Sequence, residues 1–152
     1  MCIRDRLKAT KFGLPFRHVP TYLAGYYKYK AGDQFTEGGK PVNGKRDICD
    51  IYAIMYETSE SVPTLDGTNA FTSPNLISTA RINNAKETNE WTYFKLPFTT
   101  LPGKFIDKEK LMDGKYNIAI VFTSSLEGDH FNGAIGSTLL IDEAELIYHS
   151  ED

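Results

Sequence analysis

The chain has 152 residues, 41% of them hydrophobic and 24% charged, with a formal net charge of −3. This length and composition predict one globular domain with its own hydrophobic core. The mild negative charge, without a basic patch, argues against nucleic-acid binding, and no apolar run is long enough for direct membrane insertion.

The chain begins with MCIRDR, which has no apolar pattern. It resembles a hexapeptide that recurs at the ends of reading frames translated from metagenomic assemblies. We therefore expect residues 1–9 to be non-native or disordered and one β-sandwich domain to occupy residues 10–150. The true start, with any export signal, would then lie upstream. Cys2 falls in this segment, so Cys49 is predicted to be a core residue without a disulfide partner.

Short runs rich in Tyr, Phe, Val, Ile and Thr, separated by Gly, Pro, Asn and Asp, predict a series of β-strands. The helix signal is a single turn in DKEKLMDG, with Asp107 as its cap and Gly114 as its stop. This pattern predicts an all-β fold, an antiparallel jelly-roll β-sandwich with little or no helix. We predict main strands at 21–30, 48–58, 76–83, 90–98, 115–125 and 138–148, and one or two more near 12–19 and 62–72.

Alternation along each strand separates a core face from a second face. In the strand at 48–58, the core face is entirely apolar: Cys49, Ile51, Ala53 and Met55. The second faces of three strands instead place aromatic rings beside polar groups. The residues on these second faces are Tyr26 and Lys28, Asp50 and Tyr52, and Trp91, Tyr93 and Lys95.

Rings beside polar groups are typical of sugar-binding surfaces, because the C–H face of a sugar stacks on a ring while its hydroxyls need donors and acceptors. The fifth strand adds hydroxyls at Thr123 and Ser125. The alternative is that tyrosine simply suits half-exposed strand positions. A bulge between Trp91 and Phe94 would turn Trp91 inward as a core anchor.

The last strand shows a break in its alternation at Asp142–Glu143. Leu139 and Ile141 share one phase, and the apolar residues from Ala144 onward share the other. This pattern predicts a β-bulge that pushes both carboxylates outward. Asp142 and Glu143 are candidate ligands for a structural calcium ion, although a solvated bulge is the favoured interpretation. No other cofactor is predicted.

Other motifs are weaker. GKPVNGKR, at 39–46, nearly matches a phosphate-binding loop, but it lacks the Ser or Thr and a strand follows it, so a flexible loop is favoured. Paired carboxylates leave glycoside hydrolysis open as an alternative. The carboxylates available for it are Asp50, Glu127, Asp129, Asp142 and Glu143.

Five segments occur together in this order: FGLPF at 12–16, GYYKYKAGD at 25–33, CDIYAIMYE at 49–57, EWTYFKLPF at 90–98 and SSLEGDHFNGAIGSTLLIDEAEL at 124–146. From about residue 10 onward, the chain resembles the putative carbohydrate metabolism domain of surface lipoproteins from polysaccharide-using gut bacteria. The resemblance implies a jelly roll similar to carbohydrate-binding modules, with an immunoglobulin-like domain upstream.

The resemblance also implies export to the cell surface or periplasm, and it carries over no catalytic residue. We therefore expect non-catalytic glycan recognition. The alternatives are a glycoside hydrolase that uses a carboxylate pair and a protein-interaction module of a surface complex. The candidate ligand-binding residues are Tyr26, Lys28, Asp50, Tyr52, Trp91, Tyr93, Ser124, Ser125 and Asp129.

Overall fold

A computed structural model describes residues 11–149. The segment predicted to be non-native or disordered, residues 1–9, lies outside the described residues. The element order begins with β1, Leu14–Pro15, and continues through β2, Val19–Lys30; β3, Phe35–Glu37; β4, Lys40–Pro41; β5, Asp50–Glu57; β6, Leu76–Arg81; β7, Thr88–Pro97; β8, Thr99–Thr100; α1, Lys108–Met112; β9, Tyr116–Thr123; β10, Gly133–Ala134; and β11, Thr138–His149.

The strands form two main antiparallel sheets. One sheet has the order β1-β9-β5-β6-β8 and the other has the order β11-β2-β7, while β10-β3-β4 form a small third sheet. All strand pairs are antiparallel. The prediction of an all-β antiparallel sandwich is confirmed, and each of the six main predicted strands is present.

The inner faces of the two main sheets meet in one hydrophobic core. Buried residues of β2, β5, β6 and β7 contribute to it, among them Leu23, Tyr27, Ile51, Ala80 and Phe94. These are alternate residues along their strands, which is why one face of each strand reads as apolar in the sequence. Cys49 lies in this core with a free thiol, as predicted. Burial raises the pKa of that thiol to about 11.

The predicted bulge in β11 is confirmed. Asp142 pairs with Tyr26 and Glu145 pairs with Ala24, so β11 carries one extra residue between these pairs. Glu143 takes a left-handed backbone conformation, with φ of 50°. The bulge restores the inward direction of Leu146, which packs against the core beyond the break.

The second face of β5 differs from the prediction. Tyr52, Ile54 and Tyr56 are buried in a second apolar cluster with Leu65 and Ala70. The segment 58–75, which connects β5 to β6, covers this face. The strand predicted near 62–72 is wrong, because the segment forms turns and a single bridge from Leu65 to Phe12. A connecting segment thus buries a face that alternation alone would leave at the surface.

The predicted helical turn is confirmed as α1. The Asp107 side chain accepts a hydrogen bond from the Lys110 main-chain N–H at 3.0 Å. Gly114 ends the helix with φ of +70°. The N–H of Lys115 donates back to Lys110 O, which completes the usual glycine-terminated cap. Within residues 11–149, no helix is long and apolar enough to cross a membrane.

Candidate functional site

The structure divides the predicted ligand-binding residues between two places. Asp50, Tyr52, Ser125 and Asp129 line a pocket on the outer side of the five-stranded sheet. The other group, consisting of Tyr26, Lys28, Trp91 and Tyr93, lies on β2 and β7 of the three-stranded sheet. Ser124 belongs to neither group.

The pocket has a volume of about 300 Å³ and lies at the end of β5, β6 and β9. An ion pair with a buried carboxylate lines it. Arg81 donates through Nε to Asp50 Oδ1 at 3.2 Å and through Nη2 to Asp50 Oδ2 at 2.7 Å. Asp50 is only 4% exposed, whereas much of the Arg81 side chain is accessible. The carboxylate therefore orients the guanidinium and leaves part of it open to a ligand.

Aromatic rings form one wall of the pocket. The rings of Tyr52 and Phe71 meet edge to face, with their centroids 4.8 Å apart. The Arg81 Cζ lies 4.4 Å from the Phe71 centroid and 5.6 Å from the Tyr52 centroid. Phe71 is 38% exposed, so part of its ring remains available for stacking. Burial, followed by the Asp50 charge, raises the pKa of Tyr52, so this phenol is neutral and can donate.

The segment 124–131 forms another part of the pocket lining. It brings Ser125, Leu126 and Asp129 to the pocket beside Thr123 of β9. Ser125 Oγ donates to Asp47 Oδ2 at 2.6 Å. Asp129 is exposed, and its Oδ2 lies 3.6 Å from His130 Nε2. The pocket therefore combines exposed ring surface with a fixed cation, a carboxylate and hydroxyl groups.

The second group lies on the outer face of β2 and β7. Trp91 is 45% exposed and Tyr93 is 52% exposed, so the alternative of an inward-facing Trp91 is wrong. The Tyr26 and Tyr93 rings lie 5.2 Å apart between centroids, and the Lys28 Nζ lies 4.8 Å above the Trp91 ring. Alternation predicted these directions correctly, because Phe94 and Leu96 of the same strand are buried.

Ser124 faces a different cavity. Its carbonyl accepts a 2.7 Å hydrogen bond from the buried Tyr29 hydroxyl. Together with Phe122 and Ser137 it lines a recess of about 350 Å³ between β9 and β11. Ser124 and Ser125 are neighbours in the sequence, but Ser124 lies toward the core side and Ser125 lies toward the pocket.

Asp142 and Glu143 lie exposed on the bulge of β11. The Glu143 main-chain N–H donates to Asp142 Oδ1 at 2.9 Å. Across the part of the chain that the structure describes, no three His, Cys, Asp or Glu side chains come together to hold a metal. Calcium takes six to eight oxygen ligands. Calcium at the bulge therefore stays a prediction, and this pair alone fits it poorly.

Three important residues were missed by the sequence reasoning: Arg81, Phe71 and Asp47. Arg81 is paired with Tyr52 in the β5–β6 register, so it shares the Tyr52 face. Knowledge of the β5–β6 register would therefore have indicated Arg81 as a pocket residue. Phe71 comes from a connecting segment, where no periodicity marks its direction. Asp47 is buried before β5 and binds the 124–137 segment, and no local pattern distinguishes it from other acidic residues.

This architecture defines the chain as an all-β sandwich domain with a polar–aromatic pocket on one outer sheet face. The family model described as the putative carbohydrate metabolism domain matches residues 1–147. The chain therefore belongs to that family, as the sequence resemblance predicted. None of the curated proteins matches it.

Two solved structures show the same fold over most of this chain. One is described as a putative glycoside hydrolase from Bacteroides thetaiotaomicron VPI-5482, with 89% identity and a TM-score of 0.94 over 95% of this chain. Another is described as a putative glycoside hydrolase from Bacteroides vulgatus ATCC 8482, with 47% identity and a TM-score of 0.89 over 95% of this chain. The present chain spans 42% and 58% of their lengths, respectively.

Proposed function

We propose that this domain binds a glycan in the pocket formed by Asp50, Tyr52, Phe71, Arg81 and Asp129. The observation that carries the proposal is the Arg81 guanidinium, which is fixed by Asp50 and lies against two aromatic rings. Sugar recognition needs a ring for the C–H face and oriented donors and acceptors for the hydroxyls. Membership of a carbohydrate-associated family supports the same ligand class.

The pocket favours binding over catalysis. Glycoside hydrolysis generally requires two carboxyl groups, one of which carries a proton. Both oxygens of Asp50 already accept hydrogen bonds from Arg81, so its part is to orient the guanidinium. Asp129 is then the pocket carboxylate without such a bidentate partner. This supports a recognition site with one accessible acid.

The test is a glycan array followed by calorimetry on the glycans that bind. Phe71→Ala removes a partly exposed ring and its contact with Arg81 while keeping both hydrogen-bond partners of the Asp50–Arg81 pair, and we expect it to weaken binding about tenfold. Phe105→Ala is the matched control, because Phe105 is another exposed phenylalanine outside the pocket. Failure to bind any glycan, or an equal effect of the two substitutions, would refute the proposed pocket.

A hydrolase remains the second candidate function, because the two solved relatives carry that description and two carboxylates share the pocket. The same bound glycans distinguish the two functions. New reducing ends that disappear in Asp129→Asn would establish catalysis. Binding without release of reducing ends from the wild-type domain would establish recognition alone.

The remaining predictions concern the whole protein. We propose that the domain acts within a longer exported protein, beside an immunoglobulin-like domain. The greater length of the two solved relatives supports a longer protein. Surface labelling of cells that carry the full-length gene tests the location.

A further inference from the structure

The outer face of β2 and β7 carries lysines held against aromatic rings. On β7, Trp91, Tyr93 and Lys95 alternate, so all three point to the same side of the sheet. Lys28 Nζ lies 4.8 Å from the centroid of the Trp91 ring. Lys95 Nζ lies 4.3 Å from the centroid of the Tyr22 ring. Tyr93 lies between these two contacts along the strand and is more than half exposed.

The two lysines are oriented but not neutralised. Neither ammonium group has a carboxylate within salt-bridge distance in residues 11–149. A ring under an ammonium group restricts its movement and leaves N–H donors pointing to solvent. An ordinary surface lysine loses side-chain entropy when it binds an anion. Lys28 and Lys95 have already lost part of this side-chain entropy through their ring contacts.

Acidic side chains on the same sheet limit where an anion can lie. Asp142 pairs with Tyr26 and Glu145 pairs with Ala24, so both carboxylates share the outer face from β11. Tyr93 and Lys95 pair with Tyr26 and Ala24 from the opposite side. The positive half of the face is therefore β7 with the adjoining side chains of β2, and an anionic ligand would run along that half.

We propose that this face binds an anionic polysaccharide, with its sugar rings on Tyr93 and its acidic groups at Lys28 and Lys95. The exposed ring suits the C–H face of a sugar, and the two flanking cations suit negative groups repeated along a chain. Carboxylate and sulfate groups satisfy the same chemistry. The proposal stands on a different sheet from the pocket and does not depend on it.

Affinity electrophoresis in native gels tests the proposal. One gel contains polygalacturonate and a second contains its methyl-esterified form, which has the same backbone without the charge. A third contains dextran sulfate and a fourth contains dextran. We expect retardation by an acidic polymer but not by its neutral partner, and we expect added salt to weaken it. Retardation by one acidic polymer alone assigns the carboxylate or the sulfate as the recognised group.

Substitutions then locate the site. Lys28→Gln and Lys95→Gln should each weaken retardation about threefold to fivefold, relative to migration in a ligand-free gel. Tyr93→Ala should weaken it by a similar factor. Lys40→Gln is the matched control, because it removes the same charge from an exposed lysine of β4. Tyr93→Ala distinguishes ring stacking from attraction by charge alone.

Three results would overturn the proposal. The first is the absence of retardation by both acidic polymers, which would leave this face as a protein-contact surface. The second is equal retardation by the acidic and the neutral forms of a backbone. The third is an equal loss in Lys40→Gln and Lys28→Gln, which would indicate non-specific attraction to the polymer.

Discussion

Asp47 shows how a single buried residue holds one wall of the candidate pocket in place. Its Oδ2 accepts from Ser125 Oγ at 2.6 Å, Ser137 Oγ at 2.6 Å and the Ala134 N–H at 2.9 Å. Its Oδ1 accepts from the Ile48 N–H at 2.9 Å. One carboxylate therefore holds both ends of the 124–137 segment, which carries Asp129 into the pocket. Hydrogen bonds to a buried charged acceptor are among the stronger ones in proteins.

Asp47→Asn should destabilise the domain by about 1–3 kcal/mol. An amide offers one acceptor oxygen and places an NH₂ group where Asp47 Oδ1 or Oδ2 now accepts, so at least one donor loses its partner. Urea unfolding followed by tryptophan fluorescence measures the change. Asp33→Asn is the control, because Asp33 is exposed. Equal stability of the two variants would show that the Asp47 hydrogen bonds contribute little.

Glycines in the same segment act in two different ways. Gly136 has φ of +90°, a conformation that favours glycine. Gly133 does not have a positive φ, but a Cβ there would lie 2.9 Å from Ser125 Oγ and 3.2 Å from Asp47 Oδ2. Glycines in loops generally provide backbone freedom, as Gly136 does. At Gly133 the requirement is instead space for the Asp47 cluster.

At the scale of elements, the sequence predicts the strands well. It predicts poorly which connecting segments pack over their faces. Alternation of apolar residues located all six long strands, because each has at least one face in a core. It also predicted the β11 bulge from a change of phase. It could not predict that 58–75 buries Tyr56, because segments without periodicity carry no direction. Phe71 was missed as a pocket residue for that same reason.

The Glu87 side chain, which lies just before β7, links the end of β2 to the segment before β5. Its carboxylate accepts from the Ala31 N–H after β2 at 2.8 Å and from Arg46 Nη2 before β5 at 2.6 Å. The Arg46 hydrogen bond, followed by the Ala31 hydrogen bond, lowers the pKa of Glu87 from 4.5 to about 2. The native state thus favours the charged form. This stabilisation is complete above the unfolded-state pKa and is lost as pH falls from about 4.5 to about 2.

Glu87→Gln should therefore destabilise the domain at neutral pH and have no effect of this origin below about pH 2. We expect a loss of no more than about 1 kcal/mol, because more than a third of each partner's side chain is exposed and solvent weakens the pair. Urea midpoints across a pH series measure it. Glu60→Gln, at an exposed position, controls for the general effect of removing a carboxylate. A difference between these variants that does not depend on pH would contradict the assignment.

For the whole molecule, the sheet topology decides which predicted residues can act together. Alternation placed aromatic and polar residues on non-core faces, but it could not assign the strands to sheets, because pairing depends on contacts distant in sequence. β5, β6 and β9 belong to one sheet, whereas β2 and β7 belong to the other. Asp50 and Tyr52 consequently share a pocket with Asp129, while Trp91 and Tyr93 lie on the opposite side of the sandwich.

The two proposed surfaces should bind independently. The core separates the Tyr52 face from the Tyr93 face, since Ile51 and Phe94 point into it from opposite sheets. Substitutions at distant sites with no shared partner usually have additive effects. We expect a pocket glycan at saturation to leave the affinity for the acidic polymer unchanged within about twofold. Titration of the polymer with and without the pocket glycan measures this.

The double variant Phe71→Ala with Tyr93→Ala sharpens the same prediction. Each substitution should weaken only the ligand of its own face, and the double variant should show both losses without an added coupling. Displacement of the acidic polymer by the pocket glycan would instead mean that both ligands use one site. In that case the sandwich would have a single recognition face. Because Tyr93 lies on the side opposite the pocket, the two faces could not both be binding sites.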